Sequence, residues 1–205
     1  AGFKLAVGCR LVFADETPDI LAYPEDRAAY GRLSKLLSLG KRRAEKGACL
    51  LCLEDLLEHK EGLLLILMAP IKLTSGFECS LANLAPLLHR SLWLGASMPH
   101  HGSDKKRLAK LSELSSAHHT PLIAINDVLY HIPERRIIQD VLSAIREHTP
   151  IEKIGRKLEA HAERQLKSSK EMVRLFRHAP EAVSETIRFL DRARFSLDEL
   201  RYEYP

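Results

Sequence analysis

Short runs of apolar residues recur along the first two thirds of the chain and lack the polar alternation of a half-solvated sheet. They begin near Leu5, Ile20, Leu63, Leu92 and Leu122. Strands that are covered on both faces have this composition, which is typical of parallel sheets. We predict that these runs, apart from the one at Ile20, lie in one largely parallel sheet.

Helical patterns separate several of these runs. Apolar residues recur at helical spacing over residues 24–39 and over residues 105–117. Gly40 is a plausible end for the first helix, because glycine is common just beyond a helix C-terminus. The alternation of strands and helices predicts an α/β layer or barrel.

The last third of the chain has helical spacing and contains no further strand candidate. Residues 134–147 carry apolar side chains at intervals of three and four, and Ser168-x-x-Glu171 is a capping-box signature. Pro180 suits the first turn of another helix. We predict that residues 134–193 are mainly helical and pack on one side of the sheet.

This change of pattern divides the chain into an α/β portion over residues 1–133 and a helical extension over residues 134–205. The extension is rich in basic residues, which we expect on its outer surface. The candidates for contact with DNA or with the body of a larger protein are Arg135, Arg136, Arg156, Lys157 and Arg164. The alternative is an ordinary solvated face.

The composition is that of a globular chain, with 205 residues of which 45% are hydrophobic and 28% charged. The net charge of +4 is spread along the chain, too evenly for a nucleic-acid footprint on its own. The longest uncharged apolar stretch, residues 63–71, is far shorter than the roughly 20 residues of a membrane-spanning helix. Four cysteines suit a reducing compartment, so we expect a cytoplasmic protein without a membrane partner.

Pairs of cysteines and histidines raise the question of a metal site. Cys49-x-x-Cys52 has the spacing of half a zinc site, but a second pair is missing, and we interpret both as small buried residues. Histidine pairs occur at 100–101, in a predicted loop, and at 118–119, at a predicted helix end. Solvated histidines explain both pairs better than a metal site does.

Two polar residues occupy informative places on the predicted strands. Asp127 follows the apolar run 122–125, and the carboxyl ends of parallel strands host the chemistry of α/β folds. It is either a metal-ligand or catalytic candidate, or a helix-cap or turn residue, and the spacing leaves both open. Arg10 interrupts an apolar strand, so its guanidinium reaches either solvent or a buried acceptor.

Several blocks of sequence occur in an order known from one family. They are residues 7–11, 22–33, 36–43, 126–131, 139–147, 162–168 and 195–205. Together they make the chain resemble the PHP (polymerase and histidinol phosphatase) domain of bacterial error-prone DNA polymerases, which are C-family relatives of the polymerase III alpha subunit. The resemblance covers essentially the whole chain, and the last block is its most specific part.

The resemblance implies part of a PHP-type distorted (βα)7 barrel, followed by a helical extension that leads toward the polymerase palm. The intact protein would be an error-prone, translesion DNA polymerase, a nucleotidyltransferase of DNA replication and repair. Its palm would need Mg, and the partners of this chain would be the remainder of the polymerase chain and, through it, DNA. The first metal motifs of the family would precede this chain.

The resemblance also implies that two metal-binding positions have lost their ligands. Residues 8–10 read Gly-Cys-Arg where metal-binding relatives have Gly-x-Glu, and residues 126–129 read Asn-Asp-Val-Leu where they have Asn-Asp-x-His. Only Asp127 is kept. The site at Arg10, Asp127 and Leu129 would therefore be degenerate, without a metal or another cofactor in this chain.

From this placement we predict that Arg10 faces Asp127 and pairs with it in place of a metal ion. Replacing Arg10 by alanine would then destabilise the chain by a few kcal/mol, because a partly buried carboxylate would lose its partner. His131 could replace the missing ligand only from a position displaced by two residues along the chain.

Three functions are compatible with these observations. The first is a non-catalytic, structural PHP-domain fragment of an error-prone DNA polymerase. The alternative is a metal-dependent phosphoesterase or 3′–5′ exonuclease activity of the PHP domain, and a weaker third is a free-standing binding module. Metal content and phosphodiester hydrolysis of the full-length protein distinguish the first two.

Overall fold

Five of the apolar runs form strands, and these strands build one sheet whose spatial order follows the chain. The computed structural model describes residues 4–201. The strands are β1 (Cys9–Leu11), β2 (Ile20–Pro24), β3 (Leu63–Met68), β4 (Leu92–Ala96) and β5 (Leu122–Ala124).

Strand β2 pairs antiparallel with both β1 and β3, whereas β3, β4 and β5 pair in parallel. Strands β1, β3, β4 and β5 therefore point the same way, and their carboxyl ends meet at one edge of the sheet. The predicted largely parallel sheet is confirmed. Its first strand begins at Cys9 rather than near Leu5, whose side chain is exposed and has no cross-strand partner in the sheet.

The sheet is open, because no ladder of hydrogen bonds joins β1 to β5 anywhere in residues 4–201. The strands and helices confirm an α/β fold. The (βα)7 barrel stays a prediction. No helix in this part of the chain is both long enough and apolar enough to cross a bilayer.

The part of the chain that the structure describes, residues 4–201, contains seven α-helices. They are α1 (Arg27–Arg43), α2 (Leu53–His59), α3 (Ser75–Leu87), α4 (Asp104–Ala117), α5 (Arg136–Arg146), α6 (Ser169–Leu175) and α7 (Pro180–Arg192). Short 3-10 turns occur at Pro133–Arg135, Gly155–Lys157 and Leu197–Glu199. The predicted cap at Ser168 is present, because its hydroxyl accepts a hydrogen bond from the Glu171 backbone N–H at 3.2 Å.

Helix α1 shows why the predicted stop at Gly40 is wrong. The helix begins after Asp26, whose carboxylate accepts a hydrogen bond from the Ala29 N–H at 2.8 Å, and it continues through Gly40 to Arg43. Gly40 is buried beneath Leu51, where a Cβ atom would come within 2.6 Å of a leucine methyl carbon. The glycine is therefore needed for close packing, and it does not end the helix.

The apolar pattern did not predict α2 and α3. Helix α3 has a recognisable start, since the Thr74 hydroxyl accepts a hydrogen bond from the Phe77 N–H at 3.3 Å. Its buried residues Phe77, Leu81 and Leu84 follow helical spacing. That signal was present in the sequence between β3 and β4.

The two faces of the sheet contribute to two separate cores. On β3, Leu63, Leu65 and Leu67 face the larger core with α1 to α4, while Leu64 and Ile66 face the smaller one. The smaller core is completed by Trp93, Ile123, Phe189 and Ala193. Helix α7 therefore covers the second face of the sheet.

The prediction that residues 134–193 pack on one side of the sheet is wrong. Leu175 and Phe176, at the end of α6, join the larger core, whereas Phe189 of α7 joins the smaller one. Helix α7 contributes to both cores, because Ala182 near its start belongs to the larger core and Phe189 near its end to the smaller one. A boundary after residue 133 stays a prediction, although α7 shares a core with the sheet.

Trp93 anchors α7 to β4. Its indole N–H donates to the Glu185 carboxylate at 2.9 Å, and its ring meets Phe189 edge-on at 5.0 Å between centroids. The Arg192 guanidinium lies 5.1 Å from the indole centroid, within cation–π range. All three partners belong to α7, so the tryptophan contacts that helix at several points along its length.

Candidate functional site

A cleft of about 910 Å³ opens at the edge where the carboxyl ends of β1, β3, β4 and β5 meet. Its walls come from the loops that follow these strands, with Asp19 before β2 and the segment 159–164 opposite. In α/β folds this edge is the usual location of a functional site, because loops from several strands converge there. Arg10 and Asp127, the two residues that the sequence placed at the strand ends, both line the cleft.

Arg10 makes two ion pairs in the cleft. Its Nε donates to the Asp19 carboxylate at 2.6 Å, and a second guanidinium nitrogen lies 2.5 Å from the same oxygen. The Asp127 carboxylate is 3.5 Å from Arg10, so the predicted juxtaposition is present. Asp19 is nevertheless the closer partner. The Arg10 side chain is 44% exposed, so its guanidinium reaches both the Asp19 carboxylate and solvent.

The closest cation to Asp127 is Arg164. One guanidinium nitrogen lies 2.6 Å from the Asp127 carboxylate, and its Nε donates to the Asp127 backbone carbonyl at 2.9 Å. The same guanidinium pairs with Glu159 at 2.6 Å. Sequence reasoning named Arg164 only as a DNA candidate, because no local pattern relates residues separated by 37 positions.

The backbone conformation of Asp127 fits the turn role, one of the two roles that the sequence left open for it. Its φ of 45° lies in the left-handed region, which aspartate tolerates better than most residues. The Asn126 side chain donates to the Gln165 carbonyl at 2.5 Å, and the Leu129 N–H donates to the Arg164 carbonyl at 2.9 Å. These bonds join the chain beyond β5 to the segment that carries Arg164.

The family resemblance implies a metal centre at this edge, and the residues present do not fit one. The Asp127 carboxylate lies between the guanidinium groups of Arg10 and Arg164, which would repel a dication. Leu129 offers no donor atom in its side chain. Within residues 4–201, no group of three or more histidine, cysteine, aspartate or glutamate side chains is arranged to hold a metal ion.

Three histidines lie near the mouth of the cleft without forming such a group. The His100 ring nitrogen is 3.3 Å from the Glu163 carboxylate, and the His101 and His161 ring centroids are 5.7 Å apart. His131 is exposed and does not line the cleft. It therefore does not replace the lost ligand.

The remaining candidate ligands lie elsewhere. All four cysteines are free thiols, and Cys52 is the residue that precedes α2. The interpretation of Cys49 and Cys52 as buried residues is wrong, because the loop between α1 and α2 leaves Cys49 exposed and Cys52 is only partly buried. His118 follows the last residue of α4, as the sequence predicted.

A buried arginine that sequence reasoning missed supports the wall of the cleft. Arg107, on α4, is only 6% exposed and donates three hydrogen bonds to backbone carbonyls. The acceptors are Ala69 at 2.7 Å, Pro70 at 2.8 Å and Ser97 at 2.8 Å, all in loops that line the cleft. Burial lowers the pKa of Arg107, although a guanidinium stays protonated at neutral pH.

The other basic candidates for DNA contact are partly neutralised. Arg136 lies 3.4 Å from the Asp140 carboxylate, and Lys157 forms an ion pair with Glu147. In the part of the chain that the structure describes, Arg135 and Arg156 are exposed and form no ion pair. The five candidates, Arg164 included, therefore differ in how much charge they present to a ligand.

The comparison with known proteins identifies homologues along nearly the whole chain. Proteins named error-prone DNA polymerase match at 54% identity over 203 residues in Rhodopseudomonas palustris strain BisB5 and at 52% over 208 residues in Bradyrhizobium diazoefficiens. Another from Caulobacter vibrioides matches at 46% over 202 residues. Each match covers 98% of this chain. No family model matches the chain.

The chain spans only 18 to 19% of the length of these relatives. The resemblance expected from the sequence is confirmed at that level, and the PHP assignment within it stays a prediction. Across about 98% of its length, the chain is homologous to one segment of the error-prone DNA polymerases.

Proposed function

We propose that this chain is a non-catalytic, structural part of the PHP domain of an error-prone, translesion DNA polymerase that acts in DNA replication and repair in the cytoplasm. Its partners are the remainder of the polymerase chain and, through that chain, DNA. Mg serves the polymerase palm and not this segment. The observation that carries the proposal is the position of Asp127 between Arg10 and Arg164.

The ion pairs at the cleft support a structural role because they connect distant parts of the chain. Charges alternate along the series Asp19, Arg10, Asp127, Arg164 and Glu159. The series joins β1 at one edge of the sheet to the turn after β5 at the other. A metal ion with ligands from several loops would hold them together in a similar way. In this chain, the guanidinium groups of Arg10 and Arg164 connect the loops instead.

The test uses the full-length polymerase that carries this segment. Elemental analysis measures bound zinc and manganese, and the same preparation is assayed for primer extension and for hydrolysis of a phosphodiester substrate. We expect primer extension and no stoichiometric zinc or manganese. Any phosphodiester hydrolysis should be unchanged in the Asp127→Asn variant. The alternative function, a metal-dependent phosphoesterase or 3′–5′ exonuclease, would be established by stoichiometric metal that disappears together with hydrolysis in Asp127→Asn.

A direct role in DNA binding is limited, in this proposal, to Arg135 and Arg156. Each phosphate contact contributes about 0.9 to the slope of log affinity against log salt concentration, so the Arg135→Ala/Arg156→Ala variant should lower that slope by up to about 2. Lys157→Ala is the matched control, since Glu147 already neutralises this lysine. An unchanged slope in the double variant would remove both residues from the DNA interface.

A further inference from the structure

Helix α5 is amphipathic, but it presents its apolar stripe to solvent. The side chains on this stripe are between 46 and 66% exposed, and they are Ile137, Ile138, Val141, Leu142 and Ile145. We call these five residues the α5 apolar face. The opposite stripe, which is turned toward the rest of the chain, consists of Arg136, Gln139, Asp140, Ser143 and Ala144.

The inward orientation of the polar stripe is fixed by specific contacts. The Arg136 guanidinium donates to the Glu159 backbone carbonyl at 2.5 Å and lies 3.4 Å from Asp140, whose side chain is only 15% exposed. The bond to Glu159 joins α5 to another segment of the chain, so a rotation of the helix that buried the aliphatic residues would break it.

A solvent-exposed helix normally has its polar residues outward and its apolar stripe against the core. Burial of apolar surface stabilises a fold in proportion to the area removed from water, so five aliphatic side chains left about half exposed forgo part of that stabilisation. Contiguous apolar surface of this kind marks an interaction site in most soluble proteins. The α5 apolar face therefore has the properties of a contact surface.

The spacing of the face indicates the shape of its partner. Ile138, Val141, Leu142 and Ile145 lie at positions i, i+3, i+4 and i+7, the pattern with which one helix packs against another. The partner surface should carry aliphatic side chains and no charge at its centre, because an unpaired charge buried there would be costly.

The area of the face favours a partner within the same polypeptide. A helix of 11 residues is about 16 Å long and roughly 10 Å wide, so one face of it buries a few hundred Å². Each partner of a stable complex usually buries roughly 800 Å², because association must offset lost translational and rotational freedom. A contact within one chain carries no such requirement.

The matched relatives are more than five times as long as the segment that they share with this chain, since the segment is 18 to 19% of their length. We infer that the α5 apolar face packs against an aliphatic helix from the part of the polymerase chain outside this segment. The inference rests on the proposed function, because it takes that longer polymerase as the context of the chain.

The test measures cysteine labelling in the full-length polymerase. The Val141→Cys variant is treated with iodoacetamide under native conditions and in denaturant, and peptide-level mass spectrometry follows the new cysteine separately from native ones. Ala109→Cys, on the exposed side of α4, is the matched helical control. We expect native labelling of Val141→Cys to be at least about tenfold slower than labelling of the control, because a packed side chain reacts only after local opening.

Dilution identifies the occupant. Protection that is unchanged between micromolar and low nanomolar polymerase supports a contact within the chain, whereas protection that disappears on dilution means a second copy and overturns the inference. Equal labelling of Val141→Cys and Ala109→Cys also overturns it. Ile145→Cys repeats the measurement should Val141→Cys fail to fold.

Primer extension by the same preparations separates the two proposals. An active polymerase with an unprotected α5 contradicts only this inference, and a protein that does not extend primers contradicts the proposed function.

Discussion

The sheet and α5 are both rich in aliphatic residues, but they orient them in opposite ways. On β3, the side chains from Leu63 to Leu67 are buried on both faces. On α5, the aliphatic residues are exposed, and Arg136 and Asp140 face the chain instead. The difference teaches that apolar periodicity determines which residues share a face of an element. It does not determine whether the chain itself covers that face.

The largest expected effect compares one substitution in the two regions. Leu65→Ala should lower the free energy of unfolding of the 205-residue chain by about 2–5 kcal/mol, because Leu65 is fully buried and its removal leaves a cavity. Leu142→Ala, at a side chain that is 52% exposed, should change it by no more than about 0.5 kcal/mol. Urea unfolding measures both values. Equal losses would mean that α5 is packed within this chain, and the contrast would be gone.

The second prediction concerns Arg107, a buried residue of α4 whose guanidinium lies among backbone carbonyl groups. Arg107→Met should destabilise the chain by about 3 kcal/mol, because three buried backbone carbonyls lose a charged donor. Arg107→Lys keeps the charge but cannot reach all three acceptors, so it should give a smaller loss. Urea unfolding of both variants provides the measurement. A neutral Arg107→Met would show that water replaces the guanidinium without cost.

Removing an ion pair of the cleft should destabilise the chain less than replacing the buried Arg107 does. Arg164→Ala removes contacts with Asp127 and Glu159 at a side chain that is 24% exposed, and we expect a loss of about 1 kcal/mol. Arg10→Ala should cost less than about 1 kcal/mol, because Arg10 is 44% exposed and Arg164 still neutralises Asp127. This value is below the few kcal/mol that the sequence suggested. The reverse order in thermal unfolding would restore Arg10 as the main partner of Asp127.

The smallest expected effect is on the stability of the fold at acidic pH. Burial raises the pKa of Asp55, but the hydrogen bond from the Cys52 N–H and the Arg43 guanidinium outweigh it, and the pKa lies below its ordinary value. The folded state therefore gains stability above the ordinary pKa of aspartate and loses it as the pH falls through the lowered value. Asp55→Asn should flatten the acid limb of stability against pH in urea unfolding.

Glu147, near the end of α5, is the matched control for Asp55. Its hydrogen bond with Lys157 also lowers the pKa of the Glu147 carboxyl. The lysine is 64% exposed, so salt screens this pair more than it screens the pair at Asp55. Glu147→Gln should leave the acid limb nearly unchanged at high salt. An equal effect of both substitutions would contradict the distinction between the two regions.

Most of the sheet could be predicted from the sequence because its strands are covered on both faces. Continuous runs such as Leu63 to Met68 leave few other structures possible. The predicted helix α4 accounts for the parallel pairing of β4 with β5, whereas β2 runs antiparallel to β3 although helices lie between them. The start of β1 could not be predicted, because residues 5–7 are as apolar as the strand that follows them. Gly40 was misinterpreted because a glycine that packs beneath Leu51 and a glycine that ends a helix look alike in sequence.

The candidate site was predictable only in part. The placement of Arg10 and Asp127 at one site followed from the family resemblance, and their side chains are 3.5 Å apart. Asp19 and Arg164, their closer partners, come from loops whose path no local pattern specifies. Arg107 was missed because a single arginine in a helical pattern looks like a solvent-exposed residue.

Trp93 is the only tryptophan in the sequence, and its polar and aromatic contacts with Glu185, Phe189 and Arg192 are all with α7. Intrinsic fluorescence excited at the indole band therefore reports on the docking of α7 onto β4 and on the smaller core that surrounds the ring. Carboxylate and guanidinium groups lie beside this ring, so undocking should shift its emission to longer wavelength and change its quenching by iodide. A spectroscopic signal for this face of the sheet is thus available without an added label.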